Sequence, residues 1–292
     1  MLNNLPQVTK NILILNIMFF AVTVFLDSNL AVNLFNELNF SFQKIDLHQK
    51  FGIHAPNSIL FEPYQVVTHF FMHGDFMHLF FNMFGIVIFG SHLERVWGAK
   101  RFFIFYVIAA IGAVIFTGAI NFYDLSQIQA QLNAEDIRVL NKYIQSGEFN
   151  IHTYGLNPGS DWTPIFKENF MELYIDGKLP FNATSSEHLE NYRIMYQNYS
   201  IMNIKWSVGA SGALLGLLAG FVILFPNTEL MLLFIPIPIK AKYLIGAYLA
   251  YQFIMWYQGT ADGIDYGAHV GGAIAGALMV LYWRKKDRSN FW

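Results

Sequence analysis

The stretch VGASGALLGLLAGFVILF at residues 208–225 carries no charge and a single hydroxyl, Ser211, which stands where the apolar run begins. Gly209, Ala210 and Gly212 flank it, and Gly216 and Gly220 continue a small-residue edge at four-residue spacing. Such an edge lets one membrane helix lie close against another. A second run, GAHVGGAIAG at 267–276, has His269 near its start and Gly272 and Gly276 four apart. A third, FMHGDFMHLFFNM at 71–83, sets His73, His78 and Asn82 at the head of another apolar segment. Polar groups are costly at membrane depth, so three such clusters point to one buried, water-accessible reaction site.

Composition agrees with a membrane setting. Of 292 residues 54% are hydrophobic and 13% charged, against roughly 25% charge in a soluble domain. Cysteine is absent, which excludes disulfides and thiol catalysis. A net charge of -2 argues against a nucleic-acid partner. The first apolar stretch lacks a small-residue cleavage site and reads as a retained helix or signal anchor.

Apolar runs predict an all-α membrane protein with six crossings, at about 9–26, 76–94, 101–121, 209–226, 242–258 and 267–284. Lys10, the group Arg95, Lys100 and Arg101, the pair Lys240 and Lys242, and the group Arg284, Lys285, Lys286 and Arg288 then fall on one face. That face should be cytoplasmic, with both termini on it, and a bacterial inner membrane is the expected location. Counts of five or seven crossings split these groups. Residues 1–121 form a first unit of three helices, 122–205 an extracytoplasmic insertion, and 206–292 a second unit of three helices with a cytoplasmic tail.

Between the first two helices, Phe51, Ile53, Ile59, Leu60, Phe61 and Tyr64 make a segment too apolar for a plain loop. It reads as an amphipathic element partly in the interface, or as a compact loop packed on the helices. The insertion carries ten acidic and six basic residues, with helical spacing over 124–143 and further amphipathic stretches at 162–174 and 188–199. Residues 231–239, MLLFIPIPI, contain Pro236 and Pro238 and read as extended or re-entrant chain rather than a helix.

Two helices with small faces could bring Ser211 and His269 to hydrogen-bonding distance, as a nucleophile and its general base require. His78 and Asn82, four apart on one helix face, can donate toward one point. With the Ser211 backbone N–H they would form an oxyanion hole, although structural hydrogen bonding explains Asn82 equally well. His69 and His73 could water the site or cap the helix. No glutamate accompanies His69 and His73 in the zinc-protease pattern, so neither metal nor cofactor is expected. Asp262 and Asp265 read as loop or cap residues. Tyr248, Tyr251, Phe253, Trp256 and Tyr257 on the fifth helix are either a lateral gate or ordinary lipid-facing aromatics.

These motifs resemble the rhomboid family of intramembrane serine proteases, bacterial type. The resemblance rests on PYQVVTH at 63–69, FMHGDFMHLFFNM at 71–83, Gly90, Glu94 and Gly98, VGASGALLG at 208–216 and GAHVGG at 267–272. It covers the six predicted helices and not the insertion. It implies a six-helix rhomboid-like bundle and a Ser–His dyad without a carboxylate. Ser211 would be the nucleophile, His269 the base, and His78 and Asn82 the oxyanion donors; His73 would line the cavity. It further implies transmembrane protein substrates cut near the outer face, lipid contact, and a partly embedded loop between the first two helices. Leu215 stands where many relatives have an aromatic packed on the histidine, which predicts a softer imidazole orientation. The insertion either selects substrates or has no catalytic effect. Two other functions compete: an inactive rhomboid-like factor that binds membrane proteins, and a small transporter, which would need a continuous polar path. Oligomeric state is not legible.

Overall fold

The computed structural model describes residues 4–37, 46–132, 134–145, 195, 198–232, 235–260 and 262–286. The expected turn at 157–160, the amphipathic stretch at 162–174 and nearly all of 188–199 lie outside them.

The chain is mostly helical. Helix α1 (Gln7–Leu26) is followed by the short helices α2 (Asn29–Glu37), α3 (Leu47–Phe51) and α4 (Gln65–Thr68). A long apolar helix then runs as α5 (Phe76–Gly85), a π-helical turn (Ile86–Gly90) and α6 (Ser91–Trp97). Helices α7 (Ala99–Gln129) and α8 (Ala134–Gln145) come next, then α9 (Ser211–Leu224), the strands β1 (Glu229–Leu232) and β2 (Ile235–Lys240), α10 (Ala241–Tyr257) and α11 (Tyr266–Lys286). Among the described residues three helices, Gln7–Leu26, Phe76–Trp97 and Ala99–Gln129, are long and apolar enough to cross a membrane. Ile17, Met18, Phe80, Phe81, Ile115, Phe253 and Leu278 are exposed, as side chains facing lipid would be.

Helix α9 is the centre of the bundle: residues 212–221 and Leu224 are buried. A helix apolar all round needs partners on every side, and α7 and α11 supply two of them at backbone contact. A Cβ added at Gly276 would lie 2.5 Å from the Gly216 carbonyl oxygen, and one at Gly272 would collide with the Gly212 carbonyl. Gly112 on α7 meets Ala275 on α11 in the same way. The small-residue edges read from the sequence are therefore the contact seams.

The N-terminus of α1 has no side-chain cap of its own. Buried Glu94 supplies one from α6, accepting from the N–H groups of Val8 (2.8 Å) and Thr9 (2.7 Å) and from the Thr9 hydroxyl (2.8 Å). The basic groups gather at this end: Arg95 donates to the Asn4 carbonyl (3.1 Å), and Arg101 lies 4.6 Å over the Trp283 ring.

Two elements go beyond expectation. Helix α7 continues past residue 121 to Gln129 before the chain breaks and α8 begins, because Leu125 and Ile128 extend its apolar spacing. The described residues of 231–239 are extended as expected, and they belong to two paired antiparallel strands, β1 and β2, with Glu229 opposite Lys240.

The segment between α1 and α5 packs on the protein. His54 Nδ1 and Nε2 lie 3.1 Å from the Asn203 carbonyl and 2.8 Å from the Gln49 carbonyl, and the Ser58 hydroxyl donates to Asn203 (2.8 Å). Ile53 and Ser207 form a β-bridge, and Asn57 Nδ2 donates to the Phe122 carbonyl (3.3 Å) and Ser126 hydroxyl (3.1 Å).

Candidate active site

Ser211 is the first residue of α9, and no side chain caps that helix. The turn before it depends on Gly209, whose φ of 112° is a conformation that side-chain-bearing residues rarely adopt. The Gly209 N–H donates to the His69 carbonyl (2.8 Å), fixing the turn to the loop before α5. A Cβ at Gly209 would sit 2.8 Å from His78 Nε2 and 3.6 Å from Asn82 Nδ2. The bare glycine is what lets α5 present both side chains to the start of α9.

His269, in the first turn of α11, is 8% exposed. Its Nε2 lies 2.8 Å from Ser211 Oγ and its Nδ1 lies 2.7 Å from Gln252 Oε1 on α10. The two residues predicted as a pair thus meet across 58 positions of sequence. The seam explains why: with Gly272 and Gly276 against Gly212 and Gly216, α9 and α11 run side by side and their first turns align.

Asp75 caps α5 by accepting from the His78 N–H (2.8 Å), which holds the start of that helix. Asn82, one turn further, is 4% exposed, and its Nδ2 has no acceptor among the described residues. His73 is buried edge-on to His78 at 5.1 Å between ring centres, and burial pushes its imidazole down to about 3, so it stays neutral. His69 is held by a 2.6 Å contact from Nδ1 to the Gln65 carbonyl, and burial pushes it down to about 4. Asp75 rather than His69 caps α5, and the His69 carbonyl accepts from the Gly209 N–H. Asp265 accepts from the Ala268 N–H (2.9 Å) and the Thr117 hydroxyl (3.0 Å), and Asp262 from the Tyr266 hydroxyl (2.7 Å). Both aspartates serve the start of α11, as read.

Gln252 escaped the sequence reading. Its signal was present: it is the one amide inside AKYLIGAYLAYQFIMWY. Leu215 is buried, and the His269 imidazole has a 2.7 Å contact to Gln252 Oε1 through Nδ1.

A Rhomboid domain model matches residues 60–126 and 183–286, more than half of the chain, and the chain belongs to the rhomboid family. With its apolar helices, this makes it an integral membrane protein. It is 28% identical over 128 residues to Rhomboid protein 1, mitochondrial, of Saccharomyces cerevisiae, covering 42% of this chain and 33% of that protein. It is 23% identical over 220 residues to Rhomboid protease AarA of Providencia stuartii, covering 72% of this chain and 52% of that protein. The chain therefore spans about half or less of the length of these relatives. No solved structure matches it significantly.

Proposed function

We propose that this chain is an intramembrane serine endopeptidase that cuts transmembrane proteins with Ser211 as nucleophile and His269 as general base. The observation that carries the reading is the 2.8 Å contact between Ser211 Oγ and His269 Nε2 at the heads of two packed helices. Nε2 takes the hydroxyl proton as Oγ attacks the scissile carbonyl, then returns it to the leaving amine. Water deprotonated by the same nitrogen hydrolyses the acyl-enzyme.

The negative charge on the carbonyl oxygen would meet three donors. The uncapped first turn of α9 offers the Ser211 N–H at the positive end of the helix dipole. Asn82 Nδ2 is a buried donor without an acceptor among the described residues, and His78 Nε2 flanks it across Gly209. This supports His78 and Asn82 as the oxyanion donors.

Helix lengths support a recessed site. Helix α9 is 14 residues long, about 21 Å, while the 22-residue helix beside it is about 33 Å. A Cβ at Gly85 would lie 2.8 Å from the Leu214 side chain, which levels a position about 14 Å into that helix with one about 5 Å into α9, so Ser211 lies roughly 9 Å below the start of the longer helix. On this reading α1, α5–α6, α7, α9, α10 and α11 are six crossings. Residues 1–121 and 206–292 make the bundle, 122–205 the extracytoplasmic insertion, and the basic end faces the cytoplasm of a bacterial inner membrane.

The test is cleavage of a reconstituted model transmembrane substrate by wild type, Ser211→Ala and His269→Ala, with fluorophosphonate labelling of each. Wild type should cleave and label, and both variants should be silent in cleavage. Equal cleavage by all three sinks the proposal; a folded wild type that binds substrate without cutting supports the non-catalytic binding factor instead.

A further inference from the structure

The geometry points to Gln252 as the positioning residue of the dyad, its side-chain amide holding the His269 imidazole in the orientation and tautomer that general-base catalysis needs. The inference rests on the protease reading above and adds to it a third residue from a third helix.

The first argument is hydrogen-bond chemistry. An amide oxygen carries lone pairs and no proton, so at 2.7 Å from Gln252 Oε1 the Nδ1 atom must carry the hydrogen. Nε2 is then left with its lone pair, at 2.8 Å from the Ser211 hydroxyl that donates to it. The opposite tautomer would put a hydrogen on Nε2 and leave no base. The bond to Oε1 also survives proton transfer, because the imidazolium still donates through Nδ1.

The second argument is placement. Among the described residues of α10 only Ala241, Ile245 and Gln252 are buried, and their seven- and four-residue spacings put them on one face. Tyr243, Tyr248, Tyr251, Phe253, Ile254 and Tyr257 are exposed on the other sides. An amide on the packed face of so apolar a helix is expensive unless it has a partner, and the partner is His269. Gln252 is 4% exposed, so water does not compete for that bond.

The third argument is elimination of the carboxylates. Asp265 is committed to the Ala268 N–H and the Thr117 hydroxyl, and Asp262 to the Tyr266 hydroxyl. Besides Asp265, just before α11, the titratable groups facing the imidazole are His78 on α5 and the Tyr266 ring, edge-on at 6.2 Å. None of them bonds Nδ1 among the described residues. A neutral amide orients the ring without burying a charge.

The experiment uses the full chain reconstituted with a transmembrane substrate. It measures kcat and KM across pH, together with thermal melting, for wild type, Gln252→Met and Gln252→Glu. Methionine keeps the length and loses the acceptor. We expect Gln252→Met to lower kcat roughly 10- to 100-fold with KM within about twofold, as for a misaligned catalytic group. Gln252→Glu restores an acceptor, so it should recover most of kcat and move the acid limb of the kcat profile to higher pH by about one unit. A residue that merely packs would not move that limb. Wild-type kcat in Gln252→Met overturns the inference, as does a loss matching only its unfolded fraction. Should Gln252→Glu fail to fold, kcat per folded molecule of Gln252→Met decides alone. An inactive wild type removes the protease reading itself, whereas an active wild type with an indifferent Gln252 removes only this inference.

Discussion

Replacing Gly276 by alanine tests whether the seam between α9 and α11 sets the catalytic distance. The added Cβ would lie 2.5 Å from the Gly216 oxygen, 2.7 Å from its Cα and 2.9 Å from its carbonyl carbon. All three are backbone atoms, so no rotamer relieves the clash. Ordinary contact begins at 3.4 Å, and α11 must therefore retreat from α9 by about 0.9 Å. Gly276 lies seven residues from His269, about 10 Å along the helix, so most of that retreat reaches the imidazole. A 2.8 Å bond between Nε2 and Oγ then opens toward roughly 3.7 Å, outside hydrogen-bonding range. We expect about 1–3 kcal/mol of destabilisation from overpacking and a kcat about 100-fold lower. Melting in detergent and cleavage in liposomes give the two readouts. Gly246→Ala on α10, where a Cβ meets nothing within 4 Å, is the matched control and should be neutral or slightly stabilising. A Gly276→Ala protein with wild-type melting and wild-type turnover would refute the reasoning.

Other perturbations probe the remaining parts. Asn82→Ala removes a buried donor with no acceptor among the described residues, so kcat should fall about 10²- to 10³-fold while melting changes little; a large loss of stability with normal turnover per folded molecule would make Asn82 structural. Glu94→Ala leaves the Val8 and Thr9 N–H groups without their cap, a cost of roughly 3 kcal/mol read as a lower melting temperature; an unchanged melt would show that the α1 terminus needs no such partner. The loop histidines impose a pH dependence. Burial lowers His54, and lowers His69 to about 4, so the unfolded chain takes up these protons first. Stability from His69 is full above about pH 6.5, falls as pH drops through that value, and is exhausted near pH 4. Melting should decline across that window, and less so in His69→Gln; a flat profile would contradict the assignment.

What the sequence disclosed and what it hid follow from the range of the signals. The convergence of Ser211 and His269, with His78 and Asn82 beside Gly209, was legible because each breaks an apolar run, and the facing glycines supplied the reason for two runs to meet. The strand pair was half legible: Pro236 and Pro238 exclude a helix, but no local pattern announces the pairing of Glu229 with Lys240. Helix α7 outlasts the apolar run read as a crossing at 101–121, because Leu125 and Ile128 continue its spacing to Gln129. Gln252 was overlooked because its helix was read for its aromatics, and a lone amide gains meaning only from the imidazole 17 residues later. The His54–Asn203 contact spans 149 positions and leaves no local trace at all.

That last contact has a consequence for how α7 and α9 are joined. A single loop grips the chain where it leaves the bundle, through Asn57 at Phe122 and Ser126, and where it returns, through His54 and Ser58 at Asn203. With both feet clamped side by side, the start of α9 is held to the end of α7 by a loop that precedes them both in the chain.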